Sequence, residues 1–183
     1  MPRLLWSPSK ERVKKTNLYN YFLFLEEKTK IQFSFDYSKI WSWSINHPVE
    51  FWLSLIDYLG IKYKGSSSPV IEKNKFIYNQ EFFKNIKVNY AENILSNLNS
   101  CPITFINELG FKKSYYKEDL VSKTSILANY FRSIGVKKGD RIAAVAVNSA
   151  ETLIAFLAVN SIGAIWSSCS PDFGEAAILD RFN

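Results

Sequence analysis

The chain has 183 residues, of which 47% are hydrophobic and 16% aromatic, and its formal net charge at pH 7 is +6. This composition excludes an intrinsically disordered chain, and the length suffices for one core and part of a second. His47 is the single histidine, so a histidine-dependent triad and a multi-histidine metal site are both excluded within these residues.

The cysteines and the N-terminal sequence suggest a cytoplasmic protein. Cys101 and Cys169 lie at no metal-ligand spacing, which favours free thiols in a reducing compartment. No apolar run reaches the length of a membrane span, and the N-terminus lacks the apolar core of a secretion signal. The lysines are mostly scattered, which favours a solvated surface over a nucleic-acid interface, although a basic nucleic-acid-binding module stays as an alternative.

The first half of the chain predicts helices rich in aromatic residues. An extended leader over residues 1–9 precedes a helix predicted from Glu11 to Lys30, and residues 36–43 form a short segment with aromatic anchors. A further helix opens at Pro48 and closes at Gly60. We expect most of these aromatic side chains to pack in the core of a helical cap.

Short extended segments follow the cap. A polar loop is predicted over residues 64–69, with short strands at 70–71 and 76–78. The segment 82–95 begins extended and becomes a short helix near Tyr90. Residues 103–106 and 111–115 then predict a hairpin with Gly110 in its turn, and a helix from Glu118 ends at Gly135.

The last quarter of the chain predicts a β-α-β unit. Residues 142–147 form an apolar run typical of a strand buried on both faces. Ser149 is a helix N-cap type, apolar residues recur at helical spacing from Ala150, and Gly163 is a typical helix stop. Residues 164–168 predict a second strand, which a right-handed crossover makes parallel to the first.

A parallel pair of strands cannot form a complete α/β sheet. The helix predicted over residues 175–182 covers about two turns, so the sheet needs further strands and helices on its faces. We therefore expect an incomplete α/β fold, corresponding to the front of a larger protein, with exposed sheet edges.

The loop from Cys169 to Gly174 holds the candidate site. It follows the carboxyl end of a parallel strand, the edge where open α/β sheets bind ligands. One hypothesis is that its backbone N–H groups face an anionic ligand; the alternative is that Asp172 caps the next helix and excludes an anion from the helix end. We expect Cys169 to be a small packed residue, whereas Arg181 either reaches a phosphate or lies on the surface.

Several motifs carry a resemblance to a known family. They are the run from Ser161 to Gly174, which contains WSSCSPDFG, together with Gly139-Asp140-Arg141, Asn148 and Asp180-Arg181-Phe182. They resemble acetoacetate–CoA ligases of the acyl-adenylate-forming superfamily. Trp52 and the stretch from Asn89 to Leu95 resemble the cap region that these enzymes share with acetyl-CoA synthetases.

The resemblance implies an architecture and an activity. Residues 1–100 correspond to an acetyl-CoA-synthetase-like N-terminal cap, and residues 101–183 to the truncated start of an AMP-binding domain. The family uses ATP, CoA and Mg²⁺ to convert a short carboxylic acid such as acetoacetate to its CoA thioester. The resemblance places Ser170, Pro171 and Asp172 near the CoA nucleotide, although the relatives have glycines there.

The same resemblance implies what these residues lack. The Ser/Thr/Gly-rich loop for the ATP phosphates, the hinge and the C-terminal lysine of the family are not among the 183 residues. We therefore expect the chain alone to form no adenylate and to act with the remainder of the same polypeptide. The alternatives are a ligase for another short acyl group and a non-catalytic binding fragment.

Overall fold

A computed structural model describes residues 5–72, 74, 76–98 and 102–183, except the side chain of Ile77. The boundary predicted at residues 100 and 101, and Cys101 itself, lie outside the described residues. The chain divides into two compact units, Met1–Ile86 and Lys87–Asn183.

The first unit is mainly helical. Its helices are α1 (Lys10–Lys14), α2 (Asn17–Thr29), α3 (Tyr37–Asn46) and α4 (Pro48–Tyr58). Short strands follow: β1 (Lys64–Gly65), β2 (Ile71–Glu72), β3 (Glu81–Phe82) and β4 (Ile86–Lys87), the last of which crosses into the second unit. β2 pairs antiparallel with β3, so that Glu72 lies opposite Glu81.

Aromatic side chains form the core of this unit, as we predicted. Its buried residues are Tyr21, Phe22, Leu25, Phe33, Ile40 and Trp43, with partly buried residues of α4 packed against them. The rings of Phe33 and Trp43 meet edge to face, with centroids 5.7 Å apart, an arrangement that adds a favourable quadrupole contact to the burial of apolar surface. Other aromatic residues, including Trp41 and Tyr37, are exposed.

Local hydrogen bonds divide this unit differently from the sequence prediction. The single helix predicted from Glu11 to Lys30 is broken at Thr16, whose hydroxyl accepts from the Tyr19 N–H and donates to the Val13 carbonyl. Thr16 thus closes α1 and caps α2. Residues 36–43 belong to α3, which Asp36 caps. The strand predicted at residues 76–78 is wrong, because Ile77–Asn79 forms a turn of 3₁₀ helix.

The second unit combines a hairpin with the predicted β-α-β unit. Its elements are α5 (Tyr90–Asn97), β5 (Ile103–Ile106), β6 (Lys112–Tyr115), α6 (Lys117–Ser133), β7 (Arg141–Val145), α7 (Ala150–Ile162), β8 (Ile165–Cys169) and α8 (Glu175–Phe182). β5 and β6 pair antiparallel, which confirms the hairpin. β7 and β8 pair parallel, with Ile142 opposite Trp166, which confirms the crossover unit.

One face of the β7–β8 pair is open. Burial alternates along both strands, and Val145 and Ile165 remain 48% and 54% exposed. The prediction that the first strand is buried on both faces is therefore wrong for these residues. The reason is that α7 lies against one face only, while no described element of this unit covers the other. The incomplete α/β sheet that we predicted is confirmed.

Candidate functional site

The carboxyl ends of β7 and β8 meet at one edge of the sheet. Val145 and Cys169 are the last register partners, and the Ala146 N–H donates to the Cys169 carbonyl at 3.0 Å. The chain leaves β8 directly into the turn from Ser170 to Gly174, and then enters α8. This turn therefore occupies the ligand-binding edge of an open parallel sheet.

A hydroxyl–carboxylate contact organises the turn. The Ser170 hydroxyl donates to Oδ2 of Asp172 at 2.9 Å, and the Asp172 N–H approaches the same hydroxyl at 3.4 Å. The Phe173 N–H donates to the Ser170 carbonyl at 3.2 Å. Both N–H groups therefore donate inside the turn. The hypothesis of an anion site required such groups to face outward, and these two do not.

The capping hypothesis for Asp172 is also wrong. The N-cap of α8 is Gly174, in an extended conformation, and no side chain accepts a hydrogen bond at this helix end. The carbonyl of Gly174 accepts from the N–H groups of Ala177 and Ile178. Since Asp172 lies two residues before the cap and is held by Ser170, its carboxylate keeps acceptor sites for another partner.

The predicted site residues are close together and accessible. Pro171 and Asp172 are exposed and Ser170 is half-buried. Cys169, by contrast, is a free cysteine only 7% exposed, which confirms that it packs in the interior. The accessible polar atoms of this turn are therefore those of Ser170 and Asp172.

Arg181 lies against the same turn. Its guanidinium carbon stands 5.3 Å from the centroid of the Phe173 ring, a cation–π distance. Its side chain thus runs back along α8 toward the start of the helix, as helical side chains normally do.

A second polar group at this edge was not predicted from the sequence. Glu151 lies in the first turn of α7, directly after β7, and the Tyr115 hydroxyl donates to it at 3.1 Å. The Lys113 ammonium lies 4.9 Å from the Tyr115 ring centroid. Because Tyr115 and Glu151 are 36 residues apart, no local motif could have revealed their contact.

This arrangement favours the charged form of Glu151. A hydrogen bond from its own backbone N–H is the main reason that the pKa of Glu151 lies below its ordinary value, with desolvation acting in the opposite direction. The hydroxyls of Tyr115 and Ser149 and the charge of Lys113 lower the pKa further.

Comparison with known proteins finds a family model that matches most of the second unit. Residues 106–183 match the family model described as AMP-binding enzyme. The chain is 37% identical over 152 residues to an acetoacetyl-CoA synthetase of Xenopus tropicalis, a match that covers 81% of this chain and 23% of the relative. It is 32% identical over 183 residues to the acetoacetyl-coenzyme A synthetase of Rhizobium meliloti, covering 98% of this chain and 28% of the relative.

The fold agrees with these matches. The solved structure of an acetoacetyl-CoA synthetase from Streptomyces lividans superposes with a TM-score of 0.90 at 24% sequence identity, covering 99% of this chain and 28% of that one. This chain therefore spans about a quarter of the length of the relatives that it matches. The match to the AMP-binding enzyme family model thus spans residues 106–183, which include the parallel β7–β8 unit and the turn Ser170–Asp172 that follows it.

Proposed function

We propose that the chain is the N-terminal part of an ATP-dependent acetoacetate–CoA ligase. The observation that carries this proposal is the similarity to an acetoacetyl-coenzyme A synthetase over 98% of the chain, together with the parallel β7–α7–β8 unit. The complete enzyme would first join acetoacetate to the α-phosphate of ATP, releasing diphosphate and leaving an acyl-adenylate. The thiol of CoA would then attack the acyl carbon and release AMP, and its proton would pass to solvent.

Within this reaction, we assign the turn Ser170–Asp172 to the CoA nucleotide. A carboxylate accepts hydrogen bonds and repels phosphate, so Asp172 suits a hydroxyl or amino donor of the nucleotide rather than its phosphates. The Ser170 hydroxyl holds this carboxylate in place. Pro171 contributes no N–H and restricts the backbone, which keeps the turn in one conformation.

The metal and the ATP phosphates belong to other parts of the proposed enzyme. Among the described residues, no group of three or more His, Cys, Asp or Glu side chains could hold a metal ion. The phosphate-binding loop of the family is not among the 183 residues, and we therefore assign Mg²⁺, ATP and acetoacetate binding to the remainder of the same polypeptide.

We further propose that the enzyme works in the cytoplasm. The free thiol of Cys169 is compatible with a reducing compartment. None of the helices in the described part of the chain combines the length and hydropathy that a membrane crossing requires.

The first test compares activities. The complete polypeptide encoded by the gene should form AMP and acetoacetyl-CoA from ATP, acetoacetate and CoA, whereas the 183-residue chain should release no diphosphate. Preference for another short acid, such as acetate or propionate, would reassign the substrate. Diphosphate release by the chain alone would contradict our assignment of ATP binding to the remainder of the polypeptide.

The second test concerns the turn. Asp172→Asn and Ser170→Ala should each weaken CoA binding by the complete polypeptide by about twofold to tenfold, the range of one hydrogen bond. Asp180→Asn removes an exposed carboxylate from α8 and serves as the matched control. Equal CoA affinity in all variants would remove the turn from the nucleotide site without affecting the proposed reaction.

A further inference from the structure

The helical first unit contains a groove that the proposed reaction does not use. It runs along one face of α4 and is enclosed by the ends of α2 and α3. We call it the α4 groove and define it by Ile31, Trp43, His47, Glu50, Leu53 and Asp57. Its volume is about 480 Å³, within the range of small-molecule pockets.

The middle of the α4 groove is apolar, and the one hydroxyl in its floor already has hydrogen-bond partners. Ile31, Trp43 and Leu53 line it, and Ser54 forms part of its floor. The Ser54 hydroxyl is already bonded to the Tyr21 hydroxyl and the Phe51 carbonyl, each at 2.7 Å. The floor therefore suits an alkyl or aryl body rather than a polar one.

The two ends of the groove differ in charge. At one end, Asp57 pairs with Lys28, so these two charges cancel. At the other end, the Glu50 carboxylate makes no hydrogen bond or ion pair with any residue that the structure describes, and Glu50 lies in the first turn of α4. At a pH where imidazole is neutral, the lining therefore carries one uncompensated negative charge, from Glu50.

Two aromatic rings line the same groove as this carboxylate. The Trp43 and His47 rings are roughly parallel, with centroids 6.0 Å apart, and both line the groove. A carboxylate next to an indole favours a cation, since the ring face and the carboxylate both attract positive charge. An anionic ligand would meet repulsion at the same place.

We propose that the α4 groove binds a small amine: an alkyl or aryl body of about six carbons with one ammonium group at the Glu50 end. The body fills the space between Trp43 and Leu53, and the ammonium pairs with Glu50. Residues of the first unit alone line this site, whereas the turn assigned to CoA belongs to the second unit.

The test uses the 183-residue chain and hexylammonium as the probe, with hexanoate as its anionic counterpart and hexanol as the neutral one. Binding is followed at pH 8 by NMR of the tryptophan indole N–H signals, with the Trp43 signal assigned through Trp43→Phe. Hexylammonium should shift this signal at millimolar concentration and bind more tightly than hexanol, and hexanoate should bind most weakly.

Variants separate the charge from the cavity. Glu50→Gln should weaken hexylammonium binding about threefold to tenfold and leave hexanol unchanged. Leu53→Trp, which fills the groove, should abolish binding of both, whereas Leu53→Met conserves volume and should retain it. Thermal unfolding of each variant checks that the unit remains folded.

Several results would overturn the proposal. They are equal affinity for hexylammonium and hexanoate, an unchanged hexylammonium affinity in Glu50→Gln, and no shift of the Trp43 signal up to saturating probe. An effect of Glu50→Gln on melting temperature alone would show that this carboxylate serves only the N-terminus of α4.

Discussion

The side-chain amide of Asn89 joins the start of α5 to the end of α7. Its Nδ2 donates to the carbonyls of Asn160 at 3.1 Å and Ser161 at 3.2 Å, which lie in the last turn of α7. Its Oδ1 accepts from the Glu92 N–H at 3.0 Å and so caps α5. One side chain therefore makes hydrogen bonds at two helix ends, although the Asn160 carbonyl also accepts from the Gly163 N–H at 3.0 Å.

This contact predicts a difference between two variants of Asn89. Asn89→Ala loses the cap and both donated bonds, and should lower the free energy of unfolding by about 1–2 kcal/mol. Asn89→Asp keeps the cap but turns a carboxylate toward two carbonyl oxygens, so it should destabilise the second unit at least as much at pH 7. Urea unfolding measures both changes.

The charge change has its own control in the same unit. In the wild-type chain, the Arg132 guanidinium donates to the Asn129 side chain at 3.1 Å. Asn129→Asp therefore places a carboxylate beside Arg132. It should alter stability by less than about 0.5 kcal/mol. If Asn89→Asp were as harmless as Asn129→Asp, the contact with α7 would contribute nothing to stability.

A buried hydroxyl in α6 offers a stabilising substitution. Oγ1 of Thr124 has no hydrogen-bond partner among the residues that the structure describes, and Thr124 is only 2% exposed. Thr124→Val replaces the hydroxyl with a methyl of similar size and removes the cost of its desolvation, so the free energy of unfolding should rise by about 1 kcal/mol. Chemical denaturation is the appropriate measurement.

The matched control for this substitution is an exposed threonine with a partner. The hydroxyl of Thr104 lies 3.0 Å from that of Ser114 across the hairpin. Thr104→Val should therefore bring no gain in stability. A destabilised Thr124→Val variant would mean that the hydroxyl has a partner in solution.

The end of β8 predicts which residue controls the start of α8. Because Asp172 does not cap this helix, Asp172→Ala should change stability by less than about 0.5 kcal/mol. Gly174→Ser should stabilise by a few tenths of a kcal/mol, since serine is a better cap and a Cβ at this position meets open space. Unfolding curves of the two variants decide between these residues.

Asp119 provides the matched comparison, because its carboxylate does accept a hydrogen bond at the start of a helix. Its Oδ2 accepts from the Tyr116 N–H at 3.3 Å, in the capping box of α6. Asp119→Ala should cost about 0.5–1 kcal/mol. A similar loss in Asp172→Ala would restore the capping role.

The lowered pKa of Glu151 predicts a pH dependence. A group whose pKa is lower in the folded state stabilises the fold above its unfolded pKa, and this contribution is lost as pH falls through the folded value. The second unit should therefore lose stability as pH drops below about 4.5, and Glu151→Gln should reduce this loss. Unfolding measured between pH 7 and pH 3 provides the test.

Tyr115→Phe separates the contributions to this effect. It removes the hydroxyl that donates to Glu151 but leaves the backbone hydrogen bond, which is the larger cause of the shift. The pH dependence should therefore shrink only partly in Tyr115→Phe. The same acid sensitivity in wild type and Glu151→Gln would show that other carboxylates control it.

Elements with local signals were predicted well. Ser149 and Gly163 bound α7 at both ends, and Gly110 lies in the turn of the β5–β6 hairpin. Periodicity failed where a single side chain interrupts it, as Thr16 does between α1 and α2. The role proposed for Ser170–Asp172 came from the resemblance and stays a prediction, because the geometry of the turn alone does not identify its ligand.

The amino-acid sequence by itself determined the helices and strands of the β-α-β unit, because the signals for each element lie within a few positions of one another. The parallel pairing of β7 with β8 then follows from the handedness of such crossovers. Tertiary structure decided which partner each polar side chain found. Asn89 reaches carbonyls 71 and 72 residues away, the Tyr115 hydroxyl donates to Glu151 36 residues away, and α4 forms a groove with α2 and α3. Such contacts depend on how whole elements pack. A polar side chain forms a hydrogen bond with a group that this packing places within about 3 Å.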